Sequence, residues 1–159
     1  MNAPRNDDRP EWSTSMNEPT SEKVWRLADY RHWIDVPIRF NDMDRQGHAN
    51  NAVYATLFEM GRVDIFYGPN GAVDTDSSFL SLREITIRFE RELAWPDVVK
   101  VGTLISSLGT SSIVMQQVIV SASEVAATAR VVNVLVSRSN RRSCPLSDKL
   151  RLALSAYQG

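Results

Sequence analysis

The sequence predicts an α+β fold, an antiparallel sheet of about five strands around one long central helix. Three observations carry that expectation. Residues 52–66 place Val53, Tyr54, Leu57, Phe58, Met60, Val63, Ile65 and Phe66 around nearly the whole circumference of a helix, and such a helix belongs inside a fold. Ile85, Ile87 and Phe89 alternate with Thr86, Arg88 and Glu90, which is the period of a strand. Three more long β runs, at 98–108, 112–122 and 125–138, are joined by short turns and so should pair antiparallel. A helix laid against one such sheet is a two-layer α+β arrangement.

In chain order, residues 1–23 are rich in Asn, Asp, Pro, Ser and Glu and hold too few apolar groups to order themselves. They read as a disordered N-terminal tail, and 24–159 as a single domain. Residues 24–33 have mixed character, a short helix or an irregular lead-in. Residues 34–40 (IDVPIRF) alternate enough for a strand, with Pro37 marking an edge or a bulge. A polar loop, NDMDRQGHANN, leads into the helix. Residues 68–78 read as loop, and Trp95-Pro96-Asp97 breaks the β pattern. Gly109-Thr110 and Ser123-Glu124 read as turns. A basic loop at 138–145 and a short terminal helix at 146–157 complete the chain.

Composition narrows the function. Of 159 residues 43% are hydrophobic, enough for a real core, and the net charge of −1 favours neither nucleic acid nor an anionic membrane. A phosphate-bearing ligand would need a local basic cluster. A single cysteine, Cys144, excludes an internal disulfide, and with only His32 and His48 beside it no metal site is expected. The polar start carries no secretory signal, and no stretch approaches the ~18 apolar residues of a spanning helix. A cytoplasmic protein is the expectation.

The chemistry concentrates where residues 42–54 turn from a strand into the helix. Free N–H groups at a helix N-terminus, with the positive end of its dipole, suit a developing negative charge. A carboxylate beside such a site is what ester or thioester hydrolysis requires, one group for attack and one for the oxyanion. Asp44 is the leading carboxylate; its other reading is a loop aspartate that caps a turn. Asp42 is expected to order the loop, and Gly47 to permit a positive φ. His48 could stabilise the oxyanion, position water, protonate the leaving group, or only brace the loop. Asn50 and Asn51 read as helix caps that could also line a pocket. Glu59, two turns into a helix expected to be buried, is a second candidate for chemistry if burial raises its pKa; its alternative is an ion pair with Arg62. Tyr54 and Phe58 suit core or substrate wall. Arg138, Arg141 and Arg142 are the densest basic cluster, with Arg88 and Arg91 as further basic candidates.

The string FNDMDRQGHANNAVYATLFEMGR resembles the signature of the 4-hydroxybenzoyl-CoA thioesterase family: Asp42-x-Asp44, Gly47-His48, Asn50-Asn51, Tyr54, then Glu59 and Arg62. Trp95-Pro96-Asp97 and Gly109-Thr110-Ser111-Ser112 resemble later steps of the same family, so the similarity runs from about Ile34 to the C-terminus. The resemblance implies a hotdog fold and an acyl-CoA thioesterase. It implies Asp44 as nucleophile or general base, with a backbone N–H near Asn51 on the carbonyl oxygen. It implies no cofactor, coenzyme A being part of the substrate. Arg138, Arg141 and Arg142 would meet the CoA phosphates. Residues 105–108 lack a basic patch that some relatives keep, which leaves an acyl carrier protein open as the thioester carrier. The resemblance also implies a homodimer or homotetramer, two sheets joined edge to edge with the active site between them. Two other functions fit the same fold: a hydratase or dehydratase of acyl thioesters, and a non-catalytic acyl-thioester binding protein.

Overall fold

The structure, a computed structural model, describes residues 26–69, 71 and 73–159; the tail expected over 1–23 lies outside the described residues. Its elements are β1 (His32–Pro37), α1 (Asn51–Tyr67), β2 (Ser78–Phe89), β3 (Val98–Leu108), β4 (Ser112–Ser121), β5 (Glu124–Ser137) and α2 (Asp148–Ser155). The five strands form one sheet in the order β1-β3-β4-β5-β2, with every neighbouring pair antiparallel. The chain crosses from one edge strand to the other through α1 and then fills the middle with two hairpins. The β4–β5 turn sits at Ala122 and Ser123, whose φ values of 47° and 68° match the right-handed twist of a tight hairpin. It lies one residue before the expected Ser123-Glu124 turn. The first strand ends at Pro37, and Phe40 falls in a 3-10 turn, so the expected strand over 34–40 is displaced toward the N-terminus.

β3, β4 and β5 supply the centre of the core, with Val99, Val101, Ile105, Ile113, Met115, Ile119 and Val131 fully buried. α1 packs across β1, β3 and β4. At the crossing Gly61 lets the helix backbone approach the sheet: a β-carbon there would stand 2.9 Å from Thr103 Oγ1 and 3.1 Å from Val101 Cγ1. Arg62 beside it is buried and donates to Gln117 Oε1 at 2.9 Å, while Gln117 Nε2 donates to the Phe58 carbonyl and to Thr103 Oγ1. Burial without a bonded carboxylate lowers the Arg62 pKa, with Glu59 partly opposing that.

The helix is not buried on all sides. Tyr54, Leu57, Phe58, Ile65 and Phe66 face the sheet, whereas Met60, Val63 and Tyr67 are exposed. A single sheet offers a helix only one packing surface, so an apolar circumference leaves an apolar face outside. α2 closes the far end, where Ser147 Oγ caps the Leu150 N–H and Leu150 and Leu154 enter the core. Among the described residues no helix is long and apolar enough to cross a membrane.

Candidate active site

The loop between β1 and α1 is built by its own carboxylates. Asp42 is buried and accepts from the Arg39 N–H at 2.8 Å and from the Arg39 guanidinium at 2.7 Å. That guanidinium holds the Asp42 carboxyl below the ordinary aspartate range against the opposing effect of burial. Asp42 therefore orders the loop, as expected, and its carbonyl receives the Asn50 N–H at 2.9 Å. Asp44 closes a turn: its N–H meets the His48 carbonyl at 2.8 Å, and its carbonyl accepts from Gly47 N–H at 3.1 Å. Its Oδ1 accepts from the Gln46 N–H at 2.8 Å and weakly from the His48 N–H at 3.4 Å, while Oδ2 has no partner among the described residues. Gly47 has φ 85°, the left-handed conformation that glycine adopts without strain.

Asn50 caps α1 through Oδ1, which accepts the Ala52 N–H at 2.9 Å, and its carbonyl takes the Val53 N–H at 2.8 Å. Asn51, the first helical residue, has an N–H without a hydrogen-bond partner among the described residues. A free donor at the positive end of a 17-residue helix is suited to an anionic oxygen.

Asp44, Gln46, His48, Asn51, Tyr54 and Phe89 line a pocket of about 240 Å³, closed by Glu90, Arg91 and Glu92 from the segment that leaves β2. Tyr54 is both core and wall. Its ring is buried edge-on to Phe89, and its hydroxyl donates to the Arg91 carbonyl at 3.0 Å and accepts the Leu93 N–H at 3.1 Å. His48 Nε2 lies 2.9 Å from Glu92 Oε2. Sequence reasoning missed Glu90 and Glu92. A run of charges after a strand reads as solvated surface, and only the fold turns it toward the Asp44 loop.

The profile of the thioesterase-like superfamily matches residues 38–154, more than half of the chain. The chain belongs to the thioesterase-like superfamily. Among curated proteins none matches the sequence. Solved structures agree in fold. A protein from Pseudomonas aeruginosa strain PAO1 superposes with a TM-score of 0.76 at 24% identity, over 83% of this chain and 94% of that one. A thioesterase from Thermus thermophilus, complexed with coenzyme A and Zn, gives 0.74 at 26% identity, over 84% and 98%. A second Pseudomonas aeruginosa protein, a putative thioesterase, gives 0.71 at 25% identity, over 78% and 98%. Family and fold together place the protein among thioester hydrolases.

Within this thioesterase-like domain the other expected site residues lie elsewhere. Glu59 is exposed, contrary to the expected burial, because it sits on α1 outside the buried face, along the β1 edge. It lines a second cavity of about 530 Å³ with Ile34, Asp35, Met60, Val63 and Tyr67, and it does not reach the Asp44 pocket. Nor does it bond Arg62, which points into the core instead. Arg138 and Arg141 both stack on Phe79, with guanidinium carbons 5.3 and 5.0 Å from the ring centroid, and Arg142 is exposed on the same loop. Phe79 and Phe89 stand at opposite ends of β2, so at ~3.3 Å per residue the cluster is roughly 30 Å from the pocket. Arg91 pairs with Glu124, and Arg88 is exposed. Among the described residues no three His, Cys, Asp or Glu side chains gather as a metal site.

Proposed function

We propose that the protein hydrolyses an acyl or aroyl thioester of coenzyme A to the free acid and CoA, in the manner of the 4-hydroxybenzoyl-CoA thioesterases that its motif resembles. One observation carries this reading: the Asp44 carboxylate and the Asn51 N–H belong to residues that line the same pocket, and each keeps a free bonding position. The substrate carbonyl oxygen sits on the Asn51 N–H at the start of α1. Asp44 attacks the carbonyl carbon or draws a proton from the water that does. Sulfur donates weakly into a carbonyl and leaves readily as thiolate, so a carboxylate held by its turn is a sufficient catalyst. The coenzyme A bound to the Thermus thermophilus thioesterase supports the choice of thioester carrier.

The working form in this reading is a homodimer, able to pair further into a tetramer. β2 is a 12-residue edge strand with its Leu80 N–H taken by the Tyr67 hydroxyl, while the other edge strand is six residues long and ends in proline. On β2, Leu82 is 46% and Phe89 49% exposed, beside Ile85 and Ile87, which are partly buried against the core. α1 packs chiefly on β1, β3 and β4 and reaches β2 only near its ends, through Tyr54 on Phe89 and Tyr67 on the Leu80 N–H, so much of β2 stays available to a second chain in this reading. Antiparallel pairing of two β2 edges would bring the Arg138–Arg141 end of one subunit beside the Phe89 end of the other. That arrangement is how this cluster could meet CoA phosphates.

The test is thiol release from short, long and aromatic acyl-CoA esters by the wild type and Asp44→Asn. The expected result is hydrolysis of at least one ester, with kcat lowered at least ~100-fold in the variant and KM nearly unchanged, the signature of a group acting in the transition state. Absence of thiol release from every CoA and acyl-carrier thioester would instead favour an acyl-thioester binding protein. An absorbance change at an enoyl thioester without thiol release would favour a hydratase.

A further inference from the structure

We infer that Glu92 is a positioning residue for His48, holding its imidazole through Nε2 and leaving Nδ1 as the ring nitrogen that serves a bound thioester. The inference rests on the reading of the Asp44 pocket as the hydrolytic site. The two side chains meet at 2.9 Å, Nε2 to Oε2, and both line that pocket.

The pair is built by the backbone around it. The Ala49 N–H donates to the Leu93 carbonyl at 2.7 Å, which sets the residue after His48 against the residue after Glu92. Leu93 is 1% exposed and its own N–H is held by the Tyr54 hydroxyl, so Glu92 projects from a fixed point. On the other side, His48 is fixed by the Asp44 turn through its carbonyl and its N–H. Two anchored segments thus deliver an imidazole and a carboxylate to one place. As a contribution to stability the pair is negligible, since the two side chains are 38% and 72% exposed and such ion pairs are screened by water. What it changes is orientation. A carboxylate accepts only, so the nitrogen facing it carries hydrogen, and the other nitrogen is left for the substrate.

That nitrogen has a task in hydrolysis. In the water-attack route, water oxygen bonds to the acyl carbon as Asp44 takes one of its protons, the C–S bond breaks with its electron pair on sulfur, and the second water proton, shed by the nascent acid, must reach that sulfur. Nδ1 of His48 takes this proton and releases it to the thiolate, while the other ring proton stays on Nε2, held by Glu92.

The experiment compares Glu92→Ala, Glu92→Gln, His48→Ala and the His48→Ala/Glu92→Ala double variant on one hydrolysed acyl-CoA. Glu92→Ala should lower kcat about 10- to 100-fold with KM changed less than ~3-fold, while Glu92→Gln, whose amide oxygen still accepts from Nε2–H, should keep most of the rate. In the His48→Ala background, loss of Glu92 should cost nothing more, because a residue acting through another is silent once that other is gone. Losses that multiply in the double variant, a defect confined to KM, or a glutamine variant as poor as the alanine one would each overturn the inference. The state of the pair is also read without turnover. The chain has two histidines, so the His48 Nε2–H can be assigned in a proton–nitrogen correlation spectrum. Its exchange with water should quicken at least about tenfold in Glu92→Ala, and an unchanged rate overturns the inference. A wild type that releases no thiol would defeat the hydrolase reading, while this exchange measurement still decides the pair.

Discussion

Replacing Tyr54 by phenylalanine removes one oxygen that joins α1 to the segment carrying Glu90, Arg91 and Glu92. The hydroxyl donates to the Arg91 carbonyl at 3.0 Å and accepts the Leu93 N–H at 3.1 Å. The two losses differ in size. Leu93 is buried, so its N–H would remain unpaired and unhydrated, at a cost of ~1–3 kcal/mol. Arg91 is exposed, so its carbonyl can turn to water, and losing that bond costs ~0.5 kcal/mol. The ring itself stays, with its edge contact to Phe89, so no cavity opens. Tyr54→Phe should therefore lower unfolding free energy by about 2 kcal/mol, read from the urea midpoint at unchanged m-value. Thiol release should fall with it, because the freed segment no longer holds Glu92 to His48. A variant within ~0.5 kcal/mol of wild type would mean that the Leu93 N–H finds water or another acceptor in the folded protein, and that Tyr54 does not hold this segment.

Three further outcomes are expected. The Asp42 carboxyl is depressed by Arg39, so its contribution to stability is present above the unfolded-state value near 3.8 and is lost as pH falls through the lower folded-state value; acid unfolding of Asp42→Asn should lack that component, as followed by circular dichroism. Leu82→Lys places a charge on the β2 edge and should convert the proposed dimer to monomer in sedimentation velocity, with thiol release falling in parallel. A double Arg138→Ala/Arg141→Ala variant should raise KM for acyl-CoA about tenfold while leaving hydrolysis of the matching N-acetylcysteamine thioester, which has no phosphates, within ~2-fold.

Much of the fold is local and so was legible in the chain. Alternation along 85–89 and the long apolar runs of β3, β4 and β5 fix strands because side chains on a pleated sheet repeat every second residue. The Asp44 loop was legible for a related reason. Asp42, Asp44, Gly47 and Asn50 act on backbone groups within a few residues of themselves, so turn and cap chemistry can be read from spacing alone. Position along the chain does not decide burial. The apolar circumference of α1 suggested that Glu59 was inside, yet one sheet covers one side of a helix, and Glu59 and Met60 fall outside it. The same limit hid Glu92, which is 44 positions from His48 and meets it only because the Ala49–Leu93 bond draws the two segments together. It also hid the distance of Arg138 and Arg141 from Asp44, which is set by the length and direction of β2. The chain alone shows β2 to β5, the capped helix and the carboxylate turn, all made by neighbours in sequence, while the first strand was read two residues late. Tertiary structure alone decided which distant charges share the pocket, because only packing brings remote segments within the few ångströms over which side chains act.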